Sequence, residues 1–320
     1  MPPRNGPRAL FGATERNARP GVTGLKPFAL EPFVRRTLPL LAASLFVFAA
    51  PPAWAQDASP PPGISAADLA RDTVTVGVAG AYIPDYEGSD DYRFVPGPAA
   101  IGSVDGFNFS VLGNRASVDL IRDRPGPGID LQFGPVAVVN LNRTNHKSID
   151  DPRVAALPER DTAIELGGYV GIGKTGVITS PYDKLSVSVS YRRDVSGDHH
   201  SGIWQPSVSY LTPLSTKAAV ALFGSMQHVE RGYNQTYFGI TPDDAIASGL
   251  PAYSAHGGWK NWSLGGAFTY SLTGNLLHGV KLVAGANYTR LLGSAADSPI
   301  VRIAGSRSQW LGAVGLAYTF

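Results

Sequence analysis

Beyond about residue 72, apolar side chains recur at every second position. In the last segment Trp310, Val314, Leu316, Tyr318 and Phe320 share one parity, whereas Gln309, Ala313, Gly315, Ala317 and Thr319 share the other. Successive side chains of a strand point to opposite faces, so this segment has one greasy face and one small or polar face. The same alternation runs through Val74, Val76, Val78 and Tyr82, through Leu185, Val187, Val189 and Tyr191, and through Ile164, Leu166, Val170 and Ile172. It returns in Trp262, Leu264, Phe268 and Tyr270 and in Val280, Leu282 and Tyr288. No later stretch has the length and uniform apolarity of a membrane helix.

The pattern predicts twelve strands, at about 73–82, 93–103, 105–111, 115–122, 128–140, 162–174, 183–194, 203–212, 216–228, 258–272, 277–290 and 308–320. The connections sort by parity. Those after odd strands are mostly long (83–92, 141–161, 195–202, 229–257 and 291–307) and those after even strands mostly short, as in a barrel with long outer loops and tight inner turns. Strands three and four fall short of the roughly 9–11 residues that span a bilayer, so ten spanning strands is the alternative count. Pro135 and Pro206 lie inside strands, where proline belongs at bulges or edges, and strand five is expected to change parity at Pro135.

A soluble sandwich also alternates, so three further features set the fold class. The polar face is mostly Ser, Gly, Ala, Thr and Asn, which suits a wet lumen. Aromatic residues gather near strand ends, as at Tyr82, Tyr191, Trp204, Tyr210, Trp262, Tyr270, Tyr288 and Trp310, where interfacial girdles sit. The chain ends on Phe320 with Tyr318 two places before, which resembles the C-terminal signature read by the barrel-assembly machinery. The expected fold is all-β: an antiparallel transmembrane up-and-down β-barrel over 73–320, in contact with outer-membrane lipid.

Composition refines the picture. Only 16% of the 320 residues are charged, 37 are Gly and none is Cys, which excludes disulfides and thiolate chemistry. The formal charge of +2 misleads, because residues 1–55 carry seven Lys and Arg against two Glu. The remainder holds 20 basic and 23 acidic residues, so there is no basic face for nucleic acid. Arg35 and Arg36 precede an apolar run from Leu38 to Ala50, and Ala53 and Ala55 are the small residues that signal peptidase accepts. Residues 1–55 therefore read as an N-terminal extension and cleaved signal peptide, and 56–72 as a Pro-rich periplasmic spacer. The Pro- and Arg-rich residues 1–32 push the charged segment far from Met1, as a misassigned translation start would.

Chemistry is sparse. His199 and His200 beside Asp194 and Asp198 admit metal ligation, yet a ligating histidine needs groups that orient it, and a solvated loop tip is the simpler reading. Asp85, Glu87, Asp90 and Asp91 lack the ligand order of a calcium loop. Ser248 before Gly249, with His256 nearby, does not form a nucleophile elbow. Glu165, Arg192 and Lys281 fall on the inward parity, either lining a narrow channel or pairing across the lumen to plug it. Tyr237, Phe238, Leu250, Pro251 and Tyr253 are apolar enough to fold over the barrel mouth. Asp297, Ser298 and Pro299 read as a turn that orders the last outer loop.

The last hundred residues resemble the MltA-interacting protein family of outer-membrane proteins, also called MipA/OmpV. The resemblance is carried by Tyr237-Phe238-Gly239-Ile240, by Ala247-Ser248-Gly249-Leu250-Pro251-Ala252-Tyr253, and by Arg290-Leu291-Leu292-Gly293 running into Ala295-Ala296-Asp297-Ser298-Pro299-Ile300-Val301. Pro84-Asp85-Tyr86-Glu87-Gly88-Ser89-Asp90 also resembles it. Ser294 departs from the family pattern, which usually has an acidic residue after the glycine. The resemblance implies a Gram-negative outer-membrane barrel that acts as a scaffold or binding protein for murein-processing enzymes, a murein transglycosylase and a murein synthase. It is expected to have no catalytic residues and no cofactor; a small-solute channel is the alternative.

Overall fold

The computed structural model describes residues 72–123 and 128–320. The leader with Ala53 and Ala55, the translation start and all but the last residue of the Pro-rich spacer lie outside the described residues. Twelve strands run β1 Thr73–Pro84, β2 Tyr92–Val104, β3 Phe107–Leu112, β4 Arg115–Val118, β5 Ile129–Asn140, β6 Ala163–Thr175, β7 Lys184–Asp194, β8 Gly202–Pro213, β9 Ala218–Val229, β10 Gly258–Ser271, β11 Gly279–Leu291 and β12 Ser308–Thr319. Each pairs antiparallel with its sequence neighbours, and β1 closes the ring on β12 from Thr75↔Thr319 to Tyr82↔Gly312. Closure pairs every strand on both sides over at least part of its length, as a lipid-embedded sheet requires because the bilayer core supplies no hydrogen-bond partners. A strand of 12 residues, tilted as barrel strands are, stands roughly 30 Å tall, enough for a hydrocarbon core. No helix among the described residues is long and apolar enough to cross a membrane.

The parity read from the sequence holds. Val76, Val78, Leu166, Val170, Ile172, Val187, Leu264, Val314 and Leu316 stand exposed on the outer wall, a continuous apolar belt of the kind that soluble monomers do not carry. Aromatic pairs ring the long-loop end of that wall: Tyr82 with Phe94 at 4.8 Å, Tyr191 with Trp204 at 4.7 Å and Tyr288 with Trp310 at 4.9 Å. At the short-turn end Tyr318 meets Phe320 at 4.8 Å.

Two expectations need correction. β5 does not change parity at Pro135: its register with β6 runs unbroken from Ile129↔Lys174 to Asn140↔Ala163, so Val136 and Val138 point inward and are buried. The irregularity is on the other side of Pro135, where β4 stops at Val118 and the Asp119 carboxylate accepts from Phe133 N at 3.1 Å in place of a ladder carbonyl. β4 is also half its expected length. The β3–β4 hairpin turns at Gly113-Asn114 opposite the middle of β2, with Leu112 paired to Ala99. The upper half of β2 thus lacks a β3 partner, which suits Pro96 and Pro98, since neither has an N–H to leave unpaired. At Pro206 the β8–β9 ladder skips Gln205 and Pro206 between Trp204↔His228 and Ser207↔Ser225.

The tight turns are chemically specified. Asp105-Gly106, with φ of 54° and 77°, is a two-residue hairpin turn that requires left-handed backbone at both positions. The turn between β6 and β7 is built on Asp183, whose carboxylate accepts from the N–H groups of Val177, Ile178 and Thr179 and from the Tyr210 hydroxyl. Burial pushes this carboxyl up, but the backbone N–H bonds from Thr179 and Val177 outweigh it and hold its pKa below the usual carboxylate range. A depressed folded pKa contributes stability that is complete above about pH 4, the ordinary value, and is lost only as pH falls through the folded value. Asp183→Asn should therefore loosen this turn at neutral pH by about 1–3 kcal/mol, read as faster amide exchange at Val177, Ile178 and Thr179.

Candidate functional site

The loops between β1 and β2 (85–91), β5 and β6 (141–162), β7 and β8 (195–201), β9 and β10 (230–257), and β11 and β12 (292–307) fold together over one end of the barrel. They contain one 3-10 turn, His146–Ser148, and five short α-helices: α1 Pro152–Ala155, α2 Arg231–Phe238, α3 Pro242–Ser248, α4 Gly293–Asp297 and α5 Pro299–Arg302. This lid has its own apolar core. One cluster joins Tyr233, Tyr237 and Phe238 to Ile203, Leu291 and Val301, and a second joins Tyr86, Val154, Leu157, Ile240, Leu250 and Ile300. Tyr253 packs against both.

The motif residues are the joints of this lid. Tyr237 and Phe238 end α2 in the first cluster, and Gly239 follows where a Cβ would meet the Gln235 carbonyl oxygen at 2.4 Å. The Ser248 hydroxyl donates to Asp244 O at 2.7 Å, and Gly249 closes α3 with φ of 71°. Leu250 is buried, while Pro251 and His256 lie at the surface. Ser298 caps α5 and donates to Phe238 O at 2.7 Å, Pro299 is buried at the first turn, and Asp297 pairs with Arg307 at 2.7 Å. Ser294, the departure from the family pattern, receives His256 N at 2.8 Å and so ties two loops.

In the first loop Tyr86 donates to Ala304 O at 2.5 Å, and Gln309 bridges Gly88 N and Ser89 O. Gly88 has φ of 107°, and a Cβ on Gly305 would come within 2.0 Å of its oxygen. This clamp aims Glu87 into the barrel. There its carboxylate meets Lys260 Nζ at 2.7 Å and accepts from Tyr233 OH at 3.0 Å. Lys260 is the extra residue of a bulge in β10, where the register with β9 shifts between Trp259 and Asn261. Bulges re-aim side chains, and this one turns the ammonium inward across the Tyr233 ring, 4.3 Å from its centroid.

A second pair completes the plug. Arg192 Nε donates to Glu165 Oε2 at 2.5 Å, and Asn140 donates to Glu165 Oε1 at 3.1 Å and to Tyr233 OH at 3.4 Å, which joins the two ion pairs. His199 Nδ1 accepts from Ser201 N, so the ring turns Nε2 toward Glu165 Oε1 at 3.4 Å, a distance at which the two are not aligned for a hydrogen bond. Arg192 and Arg115 both donate to Gln205 Oε1, at 2.8 and 3.2 Å. Side chains from the first loop, β4, β5, β6, β7, β8, α2 and β10 thus meet across the lumen. Above them Arg143 is buried with its guanidinium on the carbonyls of Tyr237 and Pro158; burial, with Arg160 beside it, lowers its pKa to about 10, so it remains charged.

The histidine and carboxylate candidates do not converge on one point. Asp194 accepts from the backbone of Ser196, Gly197, His199 and His200, Asp198 accepts from Tyr237 OH at 2.8 Å, and Asp85 accepts from Asp150 N. Lys281 faces inward at the short-turn end, bonded to Leu276 O and Thr319 Oγ1. Among the described residues Asp119, Asp123 and Asp130 do gather, and Lys184 Nζ sits on Asp123 and Asp130 at 3.1 and 2.8 Å as their counter-charge. Below the plug the lumen holds a cavity of about 440 Å³, lined by residues including Ser110, Ser117, Gln132, Tyr169, Ser186 and Ser209.

The sequence pointed to Glu165, Arg192 and the lid motif but missed Lys260, Tyr233, Arg115 and Gln205. Lys260 is inward only because of the bulge, and the Gln205 signal was the strand proline beside it.

Among solved structures, OmpT of Vibrio cholerae is 7% identical, with 78% of this chain and 97% of that chain covered and a TM-score of 0.33. The COG4313 outer-membrane channel from Pseudomonas putida F1 is 12% identical over 78% and 95%, with a TM-score of 0.35. The toluene transporter TodX of Pseudomonas putida is 9% identical over 78% and 88%, at 0.30. Overlaps this loose carry no argument about role. No curated protein matches the sequence. The family described as MltA-interacting protein MipA matches from residue 76 to residue 320, which takes in the whole ring of strands after the first few residues of β1 and every loop of the lid. The chain is an outer-membrane-type β-barrel and belongs to the MltA-interacting protein MipA family.

Proposed function

We propose that the protein resides in the Gram-negative outer membrane, after removal of its leader, as a lidded and plugged barrel that holds murein-processing enzymes at its periplasmic side and performs no catalysis of its own. The observation that carries this reading is the plug: two ion pairs and their hydrogen-bond partners cross the lumen beneath an apolar-cored lid. Such a plug closes the lumen at the lid end, unlike the open bore expected of a wide pore. The family is described by its interaction with MltA, which favours a transglycosylase as the bound enzyme, with a murein synthase as the further partner. The exposed Tyr318 and Phe320 at the end of β12 suit recognition by the barrel-assembly machinery.

Crosslinking in intact cells, followed by identification of the attached proteins, tests this reading. We expect murein enzymes among the products; their consistent absence overturns it. A second reading, a small-solute channel, is favoured by the polar cavity below the plug. Steady conductance of the refolded native barrel in planar bilayers would favour that reading instead.

A further inference from the structure

We infer that the lumen on the short-turn side of the plug is a binding site for a small hydroxylated carboxylate, a solute of the sugar-acid class, whose anionic group docks on Arg115 and Arg192. The charge pattern gives the first reason. Arg192 is matched by Glu165 at 2.5 Å, but Arg115 has no carboxylate within ion-pair distance among the described residues. Its one protein partner is the neutral oxygen of Gln205, at 3.2 Å.

That oxygen is crowded: Arg192 and Gln227 also donate to it, at 2.8 and 3.4 Å. Two guanidiniums converge on one amide oxygen, in the place where a carboxylate would accept from both in a charge-assisted, forked geometry. The other N–H groups of Arg115 have no hydrogen-bond partner among the described residues and are not sealed from water.

The walls give the second reason. The main cavity, of about 440 Å³, adjoins one of about 200 Å³ lined by Ser188, Gln205, Ser207, Phe223 and Ser225, and Ser209 belongs to both. The larger volume is within the range of small-molecule sites, about 300–1,000 Å³. Serine hydroxyls both donate and accept, so a row of them serves a polyol better than a hydrocarbon. Between the serines stand apolar groups that a merely water-filled lumen would not need: Phe223 is 39% exposed and Leu211 48% exposed, both on the inward parity. Tyr169 and Phe109 line the same space. Hydroxyls for the polar edge, flat apolar groups for the C–H face and paired guanidiniums for the anion together describe a sugar acid.

The test uses the full barrel refolded in detergent micelles, titrated calorimetrically with D-glucuronate, with glucose (hydroxyls without charge) and with propionate (charge without hydroxyls). We expect glucuronate to bind at least about tenfold more tightly than either, and Arg115→Gln to weaken it about tenfold or more, as loss of a charged hydrogen bond does. Arg115→Lys, which keeps the charge but not the fork, should fall between. Strand circular dichroism checks that each variant is folded; if Arg115→Gln does not fold, Arg115→Lys and the three-ligand comparison decide. Glucuronate binding no tighter than glucose, an unchanged affinity in folded Arg115→Gln, or no binding overturns the site. None of these results bears on whether murein enzymes crosslink to the barrel.

Discussion

Lys260→Met, with Glu87 left in place, is expected to release the first loop and part of the lid, at a cost of about 3–5 kcal/mol to the closed state. The magnitude follows from what remains. Glu87 would keep Tyr233 OH at 3.0 Å and Asn261 Nδ2 at 3.5 Å but lose its cation, because Lys260 is the ammonium within ion-pair distance, while Arg192 is engaged by Glu165 and Arg115 donates to Gln205. The Lys260 side chain is only 3% exposed and the Glu87 side chain 19%, so water replaces little of the lost partner until the loop moves. Hydrogen exchange should rise in 85–91 and 230–257, and a quiet barrel should show intermittent conductance. The double variant Lys260→Met with Glu87→Gln removes the stranded charge and should recover most of the loss. If the double variant is as open as the single one, the ion pair is not what holds the loop down.

Phe238→Ala should unfold the lid and leave the barrel standing. Phe238 is fully buried among Tyr233, Tyr237, Leu291 and Val301, and truncating a buried Phe costs about 3–5 kcal/mol. That is a large share of what two small loop-built clusters can supply, whereas the twelve-strand ring is held by its own ladders. Limited proteolysis should cut within 230–257 and 292–307 far faster than in the native protein, while strand circular dichroism in detergent stays unchanged. Loops that stay protected while the strands melt earlier would show that lid and ring are one cooperative unit and refute the separation.

Strand number and the outward parity were legible because an outward-facing apolar wall repeats an apolar residue at alternate positions along most of each long strand. The lid was half legible: Tyr237, Phe238 and Leu250 stood out as apolar residues in a long connection, but their partners Tyr86, Leu157 and Ile300 come from three other loops and Leu291 from the end of β11, and no local pattern links them. Glu165 and Arg192 were visible as charges on the polar parity. Lys260 was not, since a bulge shifts the parity by one residue and the alternation through Trp262 hides it. Pro135 misled for the opposite reason. A strand proline suggests a break in the register of its own strand, whereas the ladder to β6 runs on and the neighbouring β4 ends instead.

The seam between β1 and β12 sets an order of events during assembly. Its ladder joins residues from opposite ends of the chain, a Thr75–Thr319 hydroxyl contact of 2.6 Å ties one end of the barrel, and at the other the first loop is stitched by Tyr86 to the last loop and by Gly88 to Gln309 of β12. Every one of these links spans more than two hundred residues, so none can form until the last loop and the final strand have arrived. The lid's second cluster, which contains both Tyr86 and Ile300, must wait for the same moment. Ring closure and sealing of the mouth are therefore a single late step, and a chain that lacks its last strand should stall with both ends undone.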